Sequence, residues 1–125
     1  MKLSISIVVP VYAEAKNLRL LYERLQEVTS AQDQFLWSYI FVNDGSPDDS
    51  LEVLRDLAAE DAKVVVLDLS RNFGKEIALT AGVHAADSAD AVICIDADLQ
   101  HPPELIPTLI QKWQAGAEIV ATVRS

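Results

Sequence analysis

The chain has 125 residues, half of them apolar and 23% charged, which is the composition of one globular domain able to bury a core. Its net charge of −9 argues against a nucleic-acid partner, because a surface that binds nucleic acid needs clustered Lys and Arg. A single cysteine excludes an internal disulfide, and no apolar run reaches the roughly 18 residues of a membrane span. We therefore expect a cytoplasmic domain, with Cys94 as a small core side chain because it lies in an apolar run.

Five strands are predicted in chain order, over 3–11, 37–42, 63–69, 90–96 and 118–123. Most of them are continuous β-branched or apolar runs. Leucines at helical spacing predict a helix over about 15–30 and a second after the turn at 43–47. A third helix is predicted over about 75–87, and a fourth runs from Pro102 and Pro103 to Gly116.

Strands and helices alternate along the whole chain, and this alternation predicts an α/β fold. Strands that are apolar throughout are typical of a parallel sheet with helices on both faces. In such a sheet the loops that follow the strands gather along one edge, and ligands bind at that edge.

Two carboxylates, Asp96 and Asp98, lie where the fourth predicted strand ends. Like charges at this spacing repel unless one is protonated or a cation lies between them. Mg²⁺ commonly uses one or two carboxylates together with substrate phosphates, so a metal site is one interpretation. The alternative is that both acids only cap the helix that begins near Pro102.

The first strand-to-helix turn, residues 10–15, argues against two common phosphate-binding loops. It reads Pro-Val-Tyr-Ala-Glu-Ala and contains neither the glycine pattern of dinucleotide-binding folds nor a P-loop. A metal held by Asp98 is therefore a better candidate for binding phosphate than backbone amides are.

Four stretches of the chain together resemble glycosyltransferase family 2. They are Val8-Val9-Pro10-Val11-Tyr12-x-Glu14-x-x-Asn17-Leu18, Val42-Asn43-Asp44-Gly45-Ser46-x-Asp48-x-Ser50, Ser70-Arg71-Asn72-Phe73-Gly74-Lys75 and Asp96-Ala97-Asp98-Leu99-Gln100-His101-Pro102. Within the family they are most similar to the branch of dolichol-phosphate mannose synthases and polyprenyl-phosphate glucosyltransferases. The resemblance implies a Rossmann-like GT-A domain that binds a nucleotide-diphosphosugar and extends over residues 1–125.

The resemblance also implies a set of site residues. Those lining the nucleoside pocket would be Pro10, Tyr12, Glu14, Val42 and Asp44. Those meeting the ribose and diphosphate would be Asp96, Ala97 and Arg124. Asp98 and Gln100 would hold Mg²⁺ or Mn²⁺, and Asp96 and Asp98 are the catalytic candidates.

The expected reaction is inverting transfer of a sugar from a UDP- or GDP-sugar to a lipid phosphate, most simply a polyprenyl phosphate. The residues at 72–75 favour UDP-glucose or a related UDP-sugar by resemblance. The acceptor-binding part of such enzymes lies beyond the segment present here, so we expect this chain alone to transfer little or no sugar. Membrane association, at the cytoplasmic face, is expected only through such further segments, and a homo-oligomer stays open.

Simpler roles stay open for three residues. Glu14 could be an acid at a helix N-terminus, Asp44 could belong to an Asx-turn, and Lys75 could be either a solvated residue or a diphosphate contact. Two other protein classes share parts of the pattern. One is a receiver-like phosphotransfer domain, disfavoured because Ser70 rather than an acid follows the third strand. The other is a metal-dependent nucleotide-binding or interaction module without transferase activity.

Overall fold

The structure, a computed structural model, describes residues 2–98, 103–115 and 120–122. The strands are β1 Ser4–Val11, β2 Leu36–Asn43, β3 Val64–Asp68, β4 Ala91–Cys94 and β5 Val120–Thr122. The helices are α1 Ala15–Ser30, α2 Ser50–Glu60, α3 Lys75–Ala85 and α4 Ile106–Gln114, and one 3-10 turn at Pro103–Leu105 precedes α4. Within these ranges, no helix combines the length and the apolar character needed to cross a membrane.

The predicted alternation of strands and helices is confirmed, with one change that affects the site. The fourth strand was expected to run to residue 96, but β4 ends at Cys94. The amide of Ile95 still donates to the carbonyl of Val8, at 3.0 Å, so the chain leaves β1 only after this residue. Asp96 and Asp98 consequently lie in the loop beyond the strand.

All five strands are parallel and lie in the order β3-β2-β1-β4-β5. The central strand β1 pairs with β2 on one side and β4 on the other, so that Val8 lies between Ile40 and Cys94. The connections run in one direction from β1 to β3 and then return to β4. The gap between the carboxyl ends of β1 and β4 is therefore the switch point of the sheet, where ligands of open α/β folds bind.

The core has one layer on each face of the sheet. On one face Ile7 and Val9 of β1 pack with buried residues of α1, α2 and α4. On the other, Val8 and Val42 pack with buried residues of α3, and Cys94 belongs to this second layer. The expected helices on both faces and the expected core position of Cys94 are confirmed.

A glycine in helix α3 allows the helix to pack directly against strand side chains. A Cβ added at Gly82 would lie 2.3 Å from Cγ1 of Val8 and 3.0 Å from Cγ2 of Val42. A side chain at position 82, even a single methyl group, would therefore have to displace Val8, which is a packed, β-branched strand residue. The close contact fixes α3 across β1 and β2.

Candidate functional site

A cavity of about 320 Å³ opens at the carboxyl ends of β1 and β4. Three strand ends and the start of α3 contribute the residues around it. These residues are Pro10, Val11, Tyr12, Glu14, Asp44, Asn72, Gly74, Lys75, Asp96, Ala97 and Asp98. The predicted site residues brought together at the switch point are Pro10, Tyr12, Glu14, Asp44, Asp96, Ala97 and Asp98.

The loop after β1 is held by the loop after β2. Ala13 adopts a left-handed φ of 54°, which non-glycine residues rarely do, and its amide donates to Oγ of Ser46 at 3.0 Å. The amide of Glu14 donates to Oγ of Ser50, also at 3.0 Å. The Glu14 carboxylate accepts a 2.8 Å hydrogen bond from Nδ2 of Asn17, which orients it at the cavity's edge. The two loops therefore form one structural unit.

Asp48 joins the starts of two helices in the same unit. Its carboxylate accepts hydrogen bonds from the amide and hydroxyl of Ser50, at 3.0 and 2.6 Å, and from the amide of Ala15, at 3.2 Å. Desolvation of Asp48 favours the neutral acid, but the hydrogen bonds outweigh it and lower the pKa of this carboxyl. Asp48 is thereby kept ionised, and its carboxylate serves as the acceptor that backbone amides at the starts of α1 and α2 need.

Asp44 is buried, and its carboxylate binds the backbone of a distant loop. Oδ1 accepts from the amide of Phe73 at 2.8 Å, and Oδ2 accepts from the amide of Gly74 at 3.1 Å. The Asp44 carbonyl also accepts from Nδ2 of Asn72, at 3.2 Å. These bonds connect the end of β2 with the β3–α3 loop. In an Asx-turn the carboxylate would instead accept from a backbone amide two residues further along the chain.

Asp96 forms an ion pair with Lys75, the first residue of α3, across the cavity. The Asp96 side chain is 16% exposed and that of Lys75 is 40% exposed, so the pair is partly shielded from water. Asp98 lies further out on the rim and is exposed, and Ala97 between them is buried. The lysine supplies positive charge near two carboxylates that would otherwise repel.

One predicted site residue within the described part of the chain, Val42, does not line the cavity. Val42 is fully buried in the core beneath α3 and is absent from the cavity lining. Gln100 and Arg124 lie outside the described residues. Their assigned roles stay predictions.

The carboxylates fit a hard divalent cation of the Mg²⁺ or Mn²⁺ type. Asp96 and Asp98 offer oxygen donors, and among the described residues no three His, Cys, Asp or Glu side chains form a complete metal cage. Such a partial set suits a metal that keeps several water or phosphate ligands.

Asn72, Gly74 and Lys75 line the cavity but are absent from the set of site residues predicted from the sequence. Their loop follows β3, which lies two strands from β1, so topology alone places it away from the switch point. The loop reaches the cavity because it passes against Gly45, where an added Cβ would lie 2.3 Å from the amide nitrogen of Asn72. The signal in the sequence is the segment Asn72-Phe73-Gly74-Lys75, which is part of one of the four stretches that resemble glycosyltransferase family 2.

Comparison with known proteins assigns a family. Residues 6–125 match the model described as glycosyl transferase family 2. The chain is 49% identical over 120 residues to an uncharacterized glycosyltransferase, YkcC, of Bacillus subtilis, covering 96% of this chain and 36% of that protein. It is 46% identical over 123 residues to the bactoprenol glucosyl transferase of Shigella phage SfV, covering 98% of this chain and 39% of that protein. The chain thus spans less than half the length of these curated relatives.

A solved structure with the same fold is the mannosyltransferase PcManGT from Pyrobaculum calidifontis, in complex with GDP-Man and Mn²⁺. It superposes with a TM-score of 0.62 at 22% identity, covering 78% of this chain and 28% of that one. The expected GT-A fold and the resemblance to the polyprenyl-phosphate branch are confirmed.

Proposed function

Because the chain belongs to glycosyl transferase family 2, we propose that its cavity binds the nucleoside diphosphate part of a sugar donor. We propose further that the whole protein transfers the sugar to a polyprenyl phosphate. The observation that carries this proposal is the convergence of Tyr12, Asp44, Lys75 and Asp96 on one cavity at the switch point of the sheet.

The chemistry of the lining suits a nucleoside diphosphate. Tyr12 is 49% exposed and offers an aromatic face and a hydroxyl at one side of the cavity. Lys75 provides a cation on another side, at the start of a helix whose dipole also favours negative charge. A cavity of 320 Å³ is at the lower end of the range for small-molecule sites.

Asp98 is our proposed metal ligand, with Gln100 as its partner and Asp96 beside them. A bound Mg²⁺ or Mn²⁺ would offset the charge that develops on the departing diphosphate. The residues of the chain itself would then bind the donor and offset the repulsion between its diphosphate and the carboxylates of Asp96 and Asp98. A net charge of −9 makes this offset necessary for an anionic ligand.

For the donor we propose a UDP-sugar, with glucose as the first sugar to test. The support is the 46% identity to a bactoprenol glucosyl transferase, against 22% to a protein seen with GDP-Man. The lipid acceptor rests on the same relative. Inversion at the anomeric carbon and location at the cytoplasmic face of a membrane are parts of the same proposal.

The test is a transfer assay on the full-length protein in vesicles that contain undecaprenyl phosphate, with UDP-glucose and with GDP-mannose. We expect lipid-linked sugar with one donor and a large loss of product in Asp98→Asn. Asp49→Asn is the matched control, because Asp49 is an exposed acid outside the cavity. Full activity of Asp98→Asn, or no lipid-linked product with any nucleotide-sugar, would overturn the proposal.

A further inference from the structure

We propose that Ser50 and Asp48 are positioning residues, which hold the loop after β1 in the conformation that presents Tyr12 and Glu14 to the donor cavity. Neither Ser50 nor Asp48 lines the cavity itself, so each would act on a ligand through the loop. The inference rests on the proposed function for its ligand, but its structural part does not. The competing explanation is that both residues only stabilise the fold as a whole.

The first step is that three consecutive backbone amides of this loop, those of residues 13–15, all donate to side chains of the segment 46–50. In the order of the amides, the acceptors are Oγ of Ser46, Oγ of Ser50 and Oδ2 of Asp48, at 3.0, 3.0 and 3.2 Å. The amides lie at the start of α1, whose N-cap residue Glu14 makes no cap bond with its own side chain. The segment 46–50 therefore supplies acceptors that the N-terminus of α1 needs.

The second step is the direction of the Ser50 hydroxyl. Ser50 is fully buried, and its Oγ lies 2.6 Å from Oδ1 of Asp48. A hydroxyl has one proton to donate, and the ionised Asp48 carboxylate can only accept. The Ser50 oxygen therefore gives its proton to Asp48 and is left as the acceptor for the amide of Glu14. Asp48 thus determines how Ser50 holds the loop.

The third step is the unusual backbone conformation that these bonds maintain. Ala13 has a φ of 54°, in the left-handed region that is unfavourable for a residue with a Cβ. Before it, the end of β1 is fixed, because the carbonyl of Val11 accepts from the amide of Asp44 at 2.8 Å. Tyr12 and Glu14 lie on either side of Ala13, and both line the cavity. Loss of the acceptors would free Ala13 to leave the left-handed region and would redirect both neighbours.

The structural part is tested by hydrogen exchange on the nucleotide-free 125-residue chain, measured residue by residue by NMR. We expect Ser50→Ala to speed exchange of the Glu14 amide by roughly three- to tenfold, because its acceptor is lost. Asp48→Asn should do the same at the Ala15 amide, because an Asn side chain cannot accept at both of its ends. Asp49→Asn, which removes the same charge from a residue without a side-chain cap bond, should change neither amide. Unchanged exchange in Ser50→Ala and Asp48→Asn would overturn the structural part.

The functional part is tested by titrating UDP and inorganic pyrophosphate separately, each with Mn²⁺. Pyrophosphate lacks the nucleoside, for which Tyr12 and Glu14 are the predicted contacts. Relative to Asp49→Asn, we expect Asp48→Asn to weaken UDP binding by roughly three- to tenfold and to leave pyrophosphate binding unchanged. Equal losses for the two ligands, or unchanged UDP binding, would overturn the proposal, because a general loss of stability does not distinguish between them.

A chain that binds neither ligand would refute the proposed function and, with it, the ligand part of this inference. The exchange rates would still decide whether Ser50 and Asp48 hold the loop, so the two failures can be told apart.

A milder variant covers the case in which Ser50→Ala does not fold. Ser46→Ala removes one acceptor from a residue that is only partly buried. We expect roughly threefold faster exchange of the Ala13 amide and weaker binding of UDP at unchanged binding of pyrophosphate. Unchanged exchange at this amide would count against a loop held by the segment 46–50.

Discussion

The ammonium group of Lys75 forms an ion pair with the carboxylate of Asp96, joining the start of α3 to the loop beyond β4. The two residues are 21 positions apart and meet only because α3 crosses the sheet from β3 back to β4. The pair places positive charge at the side of the cavity that we propose for a diphosphate. It also offsets one of two neighbouring acids in a chain with a net charge of −9.

Lys75→Met should weaken binding of UDP with Mn²⁺ by roughly three- to tenfold, because a partly exposed cation contributes only a modest free energy. Calorimetry measures the dissociation constant. Lys63→Met is the matched control, since Lys63 precedes β3 at the opposite edge of the sheet and pairs with Asp61 at 3.9 Å. Equal effects of the two variants on the dissociation constant would contradict a local role of Lys75 and show that UDP binding depends only on the net charge of the chain.

Gly82→Ala should destabilise the chain although alanine favours helices. The added Cβ would lie 2.3 Å from Cγ1 of Val8, and overpacking of this kind costs about 1–3 kcal/mol, against a helix-propensity gain of about 1 kcal/mol. Urea unfolding measures the difference. The double variant Gly82→Ala/Val8→Ala should be less destabilised than the sum of its single changes, and a more stable Gly82→Ala would contradict the close packing of α3.

The lowered pKa of Asp61 predicts that the free energy of unfolding decreases in acid. Desolvation of this carboxyl favours the neutral form, but hydrogen bonds from the Tyr22 hydroxyl, at 2.6 Å, and the Lys63 amide, at 2.9 Å, outweigh it and lower its pKa. Since the folded pKa lies below the unfolded value of about 3.9, the stabilisation is complete above that pH and is lost as the pH falls through the folded pKa.

Tyr22→Phe tests this directly because it removes only the hydroxyl donor. We expect the pKa of Asp61 to rise towards its ordinary value, measured by carboxyl NMR, and the free energy of unfolding at pH 7 to fall by roughly 1–3 kcal/mol. The difference between the two chains should shrink below about pH 4. A difference that stays constant with pH would mean that lost packing, and not the hydrogen bond, explains the change.

Cys94 should react slowly with thiol reagents in the folded chain. It is 4% exposed, and burial raises the pKa of its thiol, so little thiolate is present or accessible at neutral pH. Ellman's reagent should modify it at a rate limited by unfolding, and quickly in concentrated urea. Rapid modification under native conditions would show that β4 opens readily.

The order of the strands and helices could be predicted because apolar runs and leucine spacing are local patterns. The joining of Asp96 to Lys75, and of Asp44 to the amides of Phe73 and Gly74, could not. These contacts depend on the strand order and on how closely the β3–α3 loop passes Gly45. The spacing of residues within one strand or helix indicates neither the strand order nor the position of this loop.

The candidate site, like the fold, could be predicted from the sequence only in part. Acids at the ends of predicted strands could be assigned to one edge, and the cavity does bring Asp44, Asp96 and Asp98 together. Val42 was assigned from the family resemblance, and the structure buries it on the α3 face because β2 alternates its side chains between the two core layers.

The most direct test of the central claim is calorimetric titration of UDP, and of GDP, into this chain with Mn²⁺ and then with EDTA. We expect one nucleotide to bind with Mn²⁺, and we expect EDTA or Asp98→Asn to abolish binding while the melting temperature of Asp98→Asn stays the same or rises. Binding that survives both EDTA and Asp98→Asn, or no binding of either nucleotide, would contradict a metal-dependent nucleotide site at the ends of β1 and β4.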